Sequence, residues 1–337
     1  MQTKTGAALT RKDIARAAGV SVATVSYVLS GNGRRKISPA TQRRVCEVAE
    51  KLGYVPNFSA QALSTGKSMN IGFLSPYTTW LIDPMFHAVQ FGLITGVNET
   101  SYTPICFYGA NEKFFQKLKQ LRLDGIVVFS SALTPELIFL IQQCILPIVF
   151  INTDPRRAGL DRPNISTVSS DYPLLVQQVF ERLLAGGARH TLALLDCRSE
   201  HCQPNEIMAA AFWPQVEGAK GRMKTTLLQQ PGEEFIDSIH SYLKSGAPFD
   251  AVYEDINRKR KYNFVSIARE YNLEPGRDYR LIRSDTVSDY PLLPGETRFS
   301  QPLVEIGRTA WQVMERMLQG TPPEHLRLPF IEESGSI

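Results

Sequence analysis

Nowhere in the 337 residues do eighteen apolar positions run together, so no segment reads as a membrane span. Cysteine is sparse: residues 46, 106, 144, 197 and 202 are odd in number and scattered, which argues against a disulfide framework and suits a reducing cytoplasm. Met1 to Ala8 has neither an apolar run nor a small-residue cleavage site and reads as a loose arm rather than a signal peptide. The signatures of catalysis are missing too. There is no HExxH pair, GxSxG elbow or dinucleotide GxGxxG, and the histidines at 87, 190, 201, 240 and 325 have no motif-level partners. Gly66-Lys67-Ser68 copies the tail of a phosphate-binding loop, but Gln61 stands where its first glycine belongs and no strand precedes it. The stretch from Asp196 to Cys202 carries Cys197, His201 and Cys202, yet the adjacent His201 and Cys202 diverge in most loop conformations and no fourth ligand follows, so it reads as a polar loop and no metal is expected. An enzyme is excluded on these grounds, and no cofactor is expected.

What is present is concentrated between Leu9 and Lys67. Thr10 can cap a helix with Asp13 reaching back to it, Ile14 and Ala18 form one apolar edge, and Gly19 ends the helix. After a tight turn, Ser21 is a fresh cap, and Val25, Val28 and Leu29 recur at helical spacing, leaving Val22, Ala23, Ser26 and Tyr27 outward. Two short helices about a Gly-containing turn are the device that sets a second helix into a DNA major groove. Neither Val22 nor Ala23 can hydrogen-bond a base edge, so direct reading there must be apolar, with Tyr27 supplying a hydroxyl one turn later. Ser38-Pro39 opens a third helix carrying Val45, Val48, Ala49 and Leu52, which closes a small core before Gly53. Charge agrees. Residues 1–67 hold eleven Lys and Arg against three Asp and Glu, a net of +8, whereas the whole chain is only +4, leaving the remainder near −4. A basic head on a mildly acidic body is the electrostatic footprint of a nucleic-acid binder.

These residues, DIARAAGVSVATVSYVLSGN, then ISPATQRRV, then LGYVPNFSAQAL, resemble the headpiece and hinge of the LacI family of transcription regulators. The departure is a basic loop insert, Gly33 to Lys36. Carried over, the resemblance makes Val22, Ala23 and Tyr27 the base readers and Ser21, Thr24, Ser26 and Thr41 phosphate contacts, with Arg34, Arg35 and Lys36 adding charge. It makes 57–65 a hinge helix in which Asn57 is the cap, Gln61 a contact residue and Leu63 the wedge that unstacks the minor groove.

From Met69 onward, short apolar runs alternate with helical patterns: strands near 70–75, 103–108, 124–129 and 146–151 with helices near 84–99, 112–121 and 135–144, then a second series from 172 to 282 that includes a helix near 207–216 and a strand near 251–253. Such alternation predicts a parallel sheet with helices on both faces, and two similar halves predict a cleft at the carboxyl ends of the strands. This part resembles the same family's periplasmic-binding-protein-like core, with LDGIVV, VSSD, IRSD and SQPLVEIG in the expected order. The resemblance implies three crossings between halves, near 166–169, 291–299 and 326–329, and a last helix, 303–318, packing back on the first half.

The expected fold is therefore an all-α helix-turn-helix headpiece (9–56) behind an arm (1–8), a hinge helix and linker (57–68), and an α/β core (69–337) of two doubly wound parallel-sheet subdomains. Those subdomains cover about 69–167 with 300–326, and about 168–297 with 327–337. In the cleft the sequence departs from its relatives. Asn205 to Trp213 lacks the usual arginine, Arg258 replaces a small residue, and Arg258 to Lys261 puts four cations in the first turn of a helix if Asn257 caps it. Cations there oppose the helix dipole, which an anion would offset. Asp171 and Asp285 match family acidic positions. The candidate effector contacts are thus Phe86, Asp171, Asp255, Arg258, Lys259 and Asp285, for a phosphorylated sugar or other acidic metabolite; a core without any small-molecule effector is the alternative. The expected protein is a repressor in the cytoplasm, acting as a homodimer, or a tetramer of two such dimers, on a pseudo-palindromic double-stranded operator.

Overall fold

The computed structural model describes residues 9–29, 37–54, 66–78, 83–109, 116, 118, 120–195, 202–228, 233–256, 264–285 and 291–335. The chain forms two compact units, residues 1–68 and 69–337.

In the first unit, α1 (Arg11–Ala18), α2 (Val22–Leu29) and α3 (Pro39–Lys51) enclose Ile14, Ala15, Ala18, Val25, Val45 and Ala49. Each helix starts and stops where local chemistry dictates. The Asp13 carboxylate accepts from the Thr10 N–H (2.9 Å) and hydroxyl (2.7 Å), while Gly19, at φ 63° and ψ 40°, takes the left-handed conformation that ends α1 at no side-chain cost. Ser21 Oγ accepts from Thr24 N–H at 3.0 Å and Ser38 Oγ from Thr41 N–H at 3.3 Å, capping α2 and α3.

The second unit contains two six-stranded sheets. The first has the order β11-β5-β4-β3-β1-β2, from β1 (Asn70–Ser75), β2 (Thr103–Tyr108), β3 (Gly125–Phe129), β4 (Ile148–Ile151), β5 (Ile165–Ser170) and β11 (His325–Leu328). Its strands are parallel, and α4 (Pro84–Asn98) and α5 (Pro135–Gln143) belong to this half. The second sheet has the order β12-β10-β9-β8-β6-β7, from β6 (His190–Leu194), β7 (Lys224–Leu228), β8 (Ala251–Ile256), β9 (Arg280–Asp285), β10 (Glu296–Ser300) and β12 (Ile331–Ser334). Here α6 (Tyr172–Ala185), α7 (Gln203–Ala219), α8 (Glu233–Lys244) and α9 (Phe264–Glu270) intervene, and only β12 runs antiparallel to its neighbour. The central strands are buried on both faces, as a parallel sheet between helices requires; β3 and β4 are buried along their whole length.

The chain passes between the lobes three times: after β5 into α6, after β10 into α10 (Leu303–Leu318), and between β11 and β12. Helix α10 returns to the first lobe and lies against α4 with no side chain between the backbones at two points. A Cβ on Gly92 would sit 1.9 Å from the Val304 carbonyl oxygen, and one on Gly307 2.0 Å from that of Val89. Trp311 then fills the space beside Gly96 and meets Tyr102 edge-on, with ring centroids 5.4 Å apart.

Sheet two also carries four charges away from water. Glu254, Arg283, Glu296 and Arg298 are each about 1–2% exposed. Arg283 Nε donates to Glu254 Oε2 (3.1 Å) and Arg298 Nε to Glu296 Oε1 (3.0 Å), while Arg283 Nη1 lies 3.7 Å from Glu296 Oε1. Glu254 also accepts the Phe264 N–H and Glu296 the Leu293 N–H, so the chain of charges fastens β8, β9, β10 and the start of α9 together. Such a network is tolerated only when mutually paired, because each lone buried ion is costly.

Replacing Gly92 with alanine forces α4 and α10 apart and should destabilise the core by about 1–3 kcal/mol or more. Gly218, whose Cβ would meet nothing within 4 Å, should accept alanine neutrally or with slight gain. Urea denaturation of both variants checks the pair.

Candidate DNA-reading face and ligand cleft

The outward face of α2 follows from its inward one. Val25 is fully buried against α1 and α3, which turns the residues before and after it toward solvent. Ser21, Val22 and Ala23 are exposed, Val22 to 42%, and Thr24, Ser26 and Tyr27 are half-buried. Forty-two per cent is high for a valine, and Val22 stands outside the apolar cluster formed by the described residues. The hydroxyls nearby have protein partners: Ser26 Oγ accepts from Arg11 Nη1 (3.1 Å), Ser21 Oγ lies 2.9 Å from Thr24 Oγ1, and Thr41 Oγ1 lies 2.9 Å from Ser38 Oγ. Each retains a lone pair or proton for a further partner. The other predicted DNA contacts, Arg34, Arg35, Lys36, Asn57, Gln61 and Leu63, fall outside the described residues.

In the core, the carboxyl ends of both sheets bring polar groups together. Ser130 directly follows β3, and its backbone oxygen accepts from the Thr153 hydroxyl at 2.6 Å. Asn152, directly after β4, takes a left-handed φ of 63°. Asp154 receives Arg156 Nε at 2.9 Å and Nη2 at 2.8 Å. Burial pushes the Asp154 carboxyl upward, but the Arg156 bonds outweigh it and hold the group below the usual carboxylate range. On the second lobe, Asp255 Oδ1 accepts from Ser284 Oγ (2.7 Å), which lies 3.1 Å from the Tyr253 hydroxyl. Tyr172 and Tyr253 are buried and both phenols are pushed up by desolvation.

The predicted effector residues therefore separate. Asp171 and Asp255 lie at the carboxyl ends of β5 and β8; Asp171 caps α6 by accepting the Leu174 N–H at 3.1 Å. Asp285 is the last residue of β9, and Arg258 and Lys259 are outside the described residues. Phe86 is corrected. It is fully buried, stacked on Phe73 at 5.4 Å and wedged against Phe129 and Tyr108, because its place in the first turn of α4 faces the sheet and not the cleft. A residue that sequence reasoning missed is Gln203, which joins the two lobes at this end: its N–H donates to the Ser131 oxygen (2.8 Å) and its Oε1 accepts the Asp154 N–H (2.8 Å). Pro204, one residue into α7, was the available signal for an earlier helix start.

Among the described residues no group of three or more His, Cys, Asp or Glu side chains could hold a metal ion, and no helix is long and apolar enough to cross a membrane.

A three-helix head with an exposed apolar face on its second helix, joined in sequence to a two-lobed α/β body crossed three times by the chain, defines the class of DNA-binding transcriptional regulators. Residues 10–57 match the bacterial regulatory proteins of the lacI family. Among similar proteins, the HTH-type transcriptional regulator PtxS of Pseudomonas putida is 28% identical over 339 residues, covering 96% of this chain and 93% of its own. Catabolite control protein A of Staphylococcus xylosus is 28% identical over 314 residues, 91% of each chain. The lac repressor dimer bound to operator and the anti-inducer ONPF has the same fold, with a TM-score of 0.71 at 16% identity over 97% of this chain and 98% of that one. Residues 10–57 therefore form a lacI-family DNA-binding domain, and the chain is a DNA-binding transcriptional regulator.

The Asp13 carboxyl is held below its ordinary value first by the Thr10 hydroxyl, then by the Thr10 N–H and by Arg16. A carboxyl depressed by folding lends stability that is full above its unfolded value, near 4, and lost as pH falls through the folded one. Amide exchange in α1 should therefore accelerate below about pH 4, and Asp13→Asn should abolish that acid dependence.

Proposed function

We propose that the protein is a repressor that binds a pseudo-palindromic operator as a homodimer under the control of a small anionic effector in the cleft. The observation that carries the DNA half of this reading is the exposed Val22–Ala23 pair opening α2 on a unit of net charge +8. The N-terminal turn of a recognition helix is the part that reaches base edges, and two methyl-bearing side chains there suit thymine methyl groups. Ser21 and Tyr27 lie beside them; Thr24, Ser26, Thr41 and the basic insert Arg34, Arg35, Lys36 serve the phosphates. Asn57, Gln61 and Leu63, which lie outside the described residues, take the role of hinge contacts, with Leu63 as the minor-groove wedge on a kinked duplex. The homodimer reading is favoured by an apolar face on α4, where Phe91 is 63% exposed.

For the effector, Asp171, Asp255 and Asp285 line the strand ends and Arg258 and Lys259 supply positive charge. Ligand binding shifts one lobe against the other and so favours or forbids hinge pairing between subunits. A second reading, a core that answers to no small molecule, draws support from Gln203, which bridges the lobes with the protein's own groups.

Fluorescence anisotropy at physiological salt should give a palindromic site bound at least about 1,000-fold tighter than random duplex. Replacing contacted thymines with uracil, which removes only the methyl, should weaken binding by about 0.8 kcal/mol each. No preference for any palindrome, with or without metabolites, would overturn the reading. Calorimetry with phosphorylated sugars and organic acids tests the effector. Heat with the native chain that vanishes in Arg258→Ala/Lys259→Ala supports an anion site, and unchanged affinity in that variant refutes it.

A further inference from the structure

Glutamine at the start of a helix usually points into water. Gln203 does not: it is 8% exposed, and its carboxamide engages both polar groups of a single residue in the other lobe. Oε1 accepts the Asp154 N–H at 2.8 Å and Nε2 faces the Asp154 carbonyl oxygen at 3.4 Å, while the Gln203 backbone N–H donates to Ser131 at 2.8 Å. Gln203 opens α7 of the second lobe, whereas Ser131 and Asp154 follow β3 and β4 of the first. The side chain thus imitates one rung of a strand ladder across the mouth of the cleft.

The first-lobe partner is built to receive it. The turn after β4 begins with Asn152 at φ 63°, a conformation that non-glycine residues hold only where their surroundings over-determine it. Thr153 is tied to the Ser130 oxygen at 2.6 Å, and the Asp154 side chain is clamped by Arg156, so the Asp154 peptide is fixed in direction before Gln203 meets it. The Asn152 Oδ1 is buried without a hydrogen-bond partner, a cost borne beside the contact and not elsewhere in the turn.

We propose that Gln203 is a latch: a positioning residue that holds the two lobes together through protein groups alone and sets the resting bias of the cleft on which an effector acts. The inference rests on reading lobe movement as the control of the headpieces. A ligand that widens the cleft must break the Gln203–Asp154 pair, and one that bridges the lobes adds to it.

The test uses the full chain labelled with a fluorescent donor and acceptor through non-canonical amino acids at Glu136 in the first lobe and the exposed Gly218 in the second. Gln203→Met keeps length and helix propensity but removes both carboxamide bonds, and should raise the open-to-closed ratio about tenfold, seen as a longer-distance population. Gln203→Glu keeps the acceptor and loses the donor, so its shift should be smaller. Ser131→Ala, which leaves the accepting carbonyl in place, should match the native distribution. Operator affinity should change several-fold in Gln203→Met while its melting temperature stays near native, a split that a purely structural role would not give. Distance distributions identical to native in both Gln203 variants would overturn the latch. Because the distance measurement is made without DNA, its outcome is independent of whether the operator reading holds.

Discussion

Where α4 and α10 cross, Gly92 and Gly307 let the two backbones touch, and the last helix of the chain becomes part of the first lobe. The arrangement of the core follows from that approach. With α10 seated on α4, β11 reaches the edge of sheet one beside β5, and the chain then crosses to lay β12 against β10. Neither sheet is completed by a continuous stretch of sequence. Each lobe borrows strands from the far end of the chain, so the lobes cannot separate; they can only turn about the three passages. A cleft between bodies tied in this way has few modes of motion, which is what a two-state regulator requires.

Within that constraint the two lobes are held differently. Sheet one is apolar throughout its centre, with Val127, Val149 and Phe150 fully buried, whereas sheet two threads the Glu254–Arg283–Glu296–Arg298 chain through strands β8 to β10. A slip of one residue in either sheet would break the backbone rungs and turn buried side chains outward, and in sheet two it would also part the paired charges. The charge chain therefore fixes the ends of β8, β9 and β10 relative to each other.

Most of this was legible in the residues. Gly19, the Ser21 cap and Ser38-Pro39 mark the headpiece because capping is local chemistry; α10 and β2 fall on the residues expected because Leu303 to Leu318 keeps its helical period and Thr103 to Tyr108 is bounded by turns. The failures have physical causes. Strand β8 was expected to end at Tyr253 but runs to Ile256, because Glu254 looks like a loop residue until Arg283 of the neighbouring strand pairs with it. Helix α7 was expected near Ile207, where its apolar period begins, but starts at Gln203, whose burial depends wholly on a lobe distant in sequence. Phe86 was assigned to the ligand because the side of α4 it occupies is set by the sheet and not by the helix itself. Local signals were readable, and pairings across lobes were not.

The interleaved strand order also bears on synthesis. The headpiece precedes the body in chain order, and its three helices take their caps and core from within residues 10–54. The body is in the opposite position. Until residues 303–318 are made α4 lacks its covering helix, and until residues 325–334 are made each sheet lacks an edge strand, so the body closes well after the headpiece's own contacts become available. A basic head with its contacts complete, on a body still lacking strands, is the intermediate that this order of elements favours.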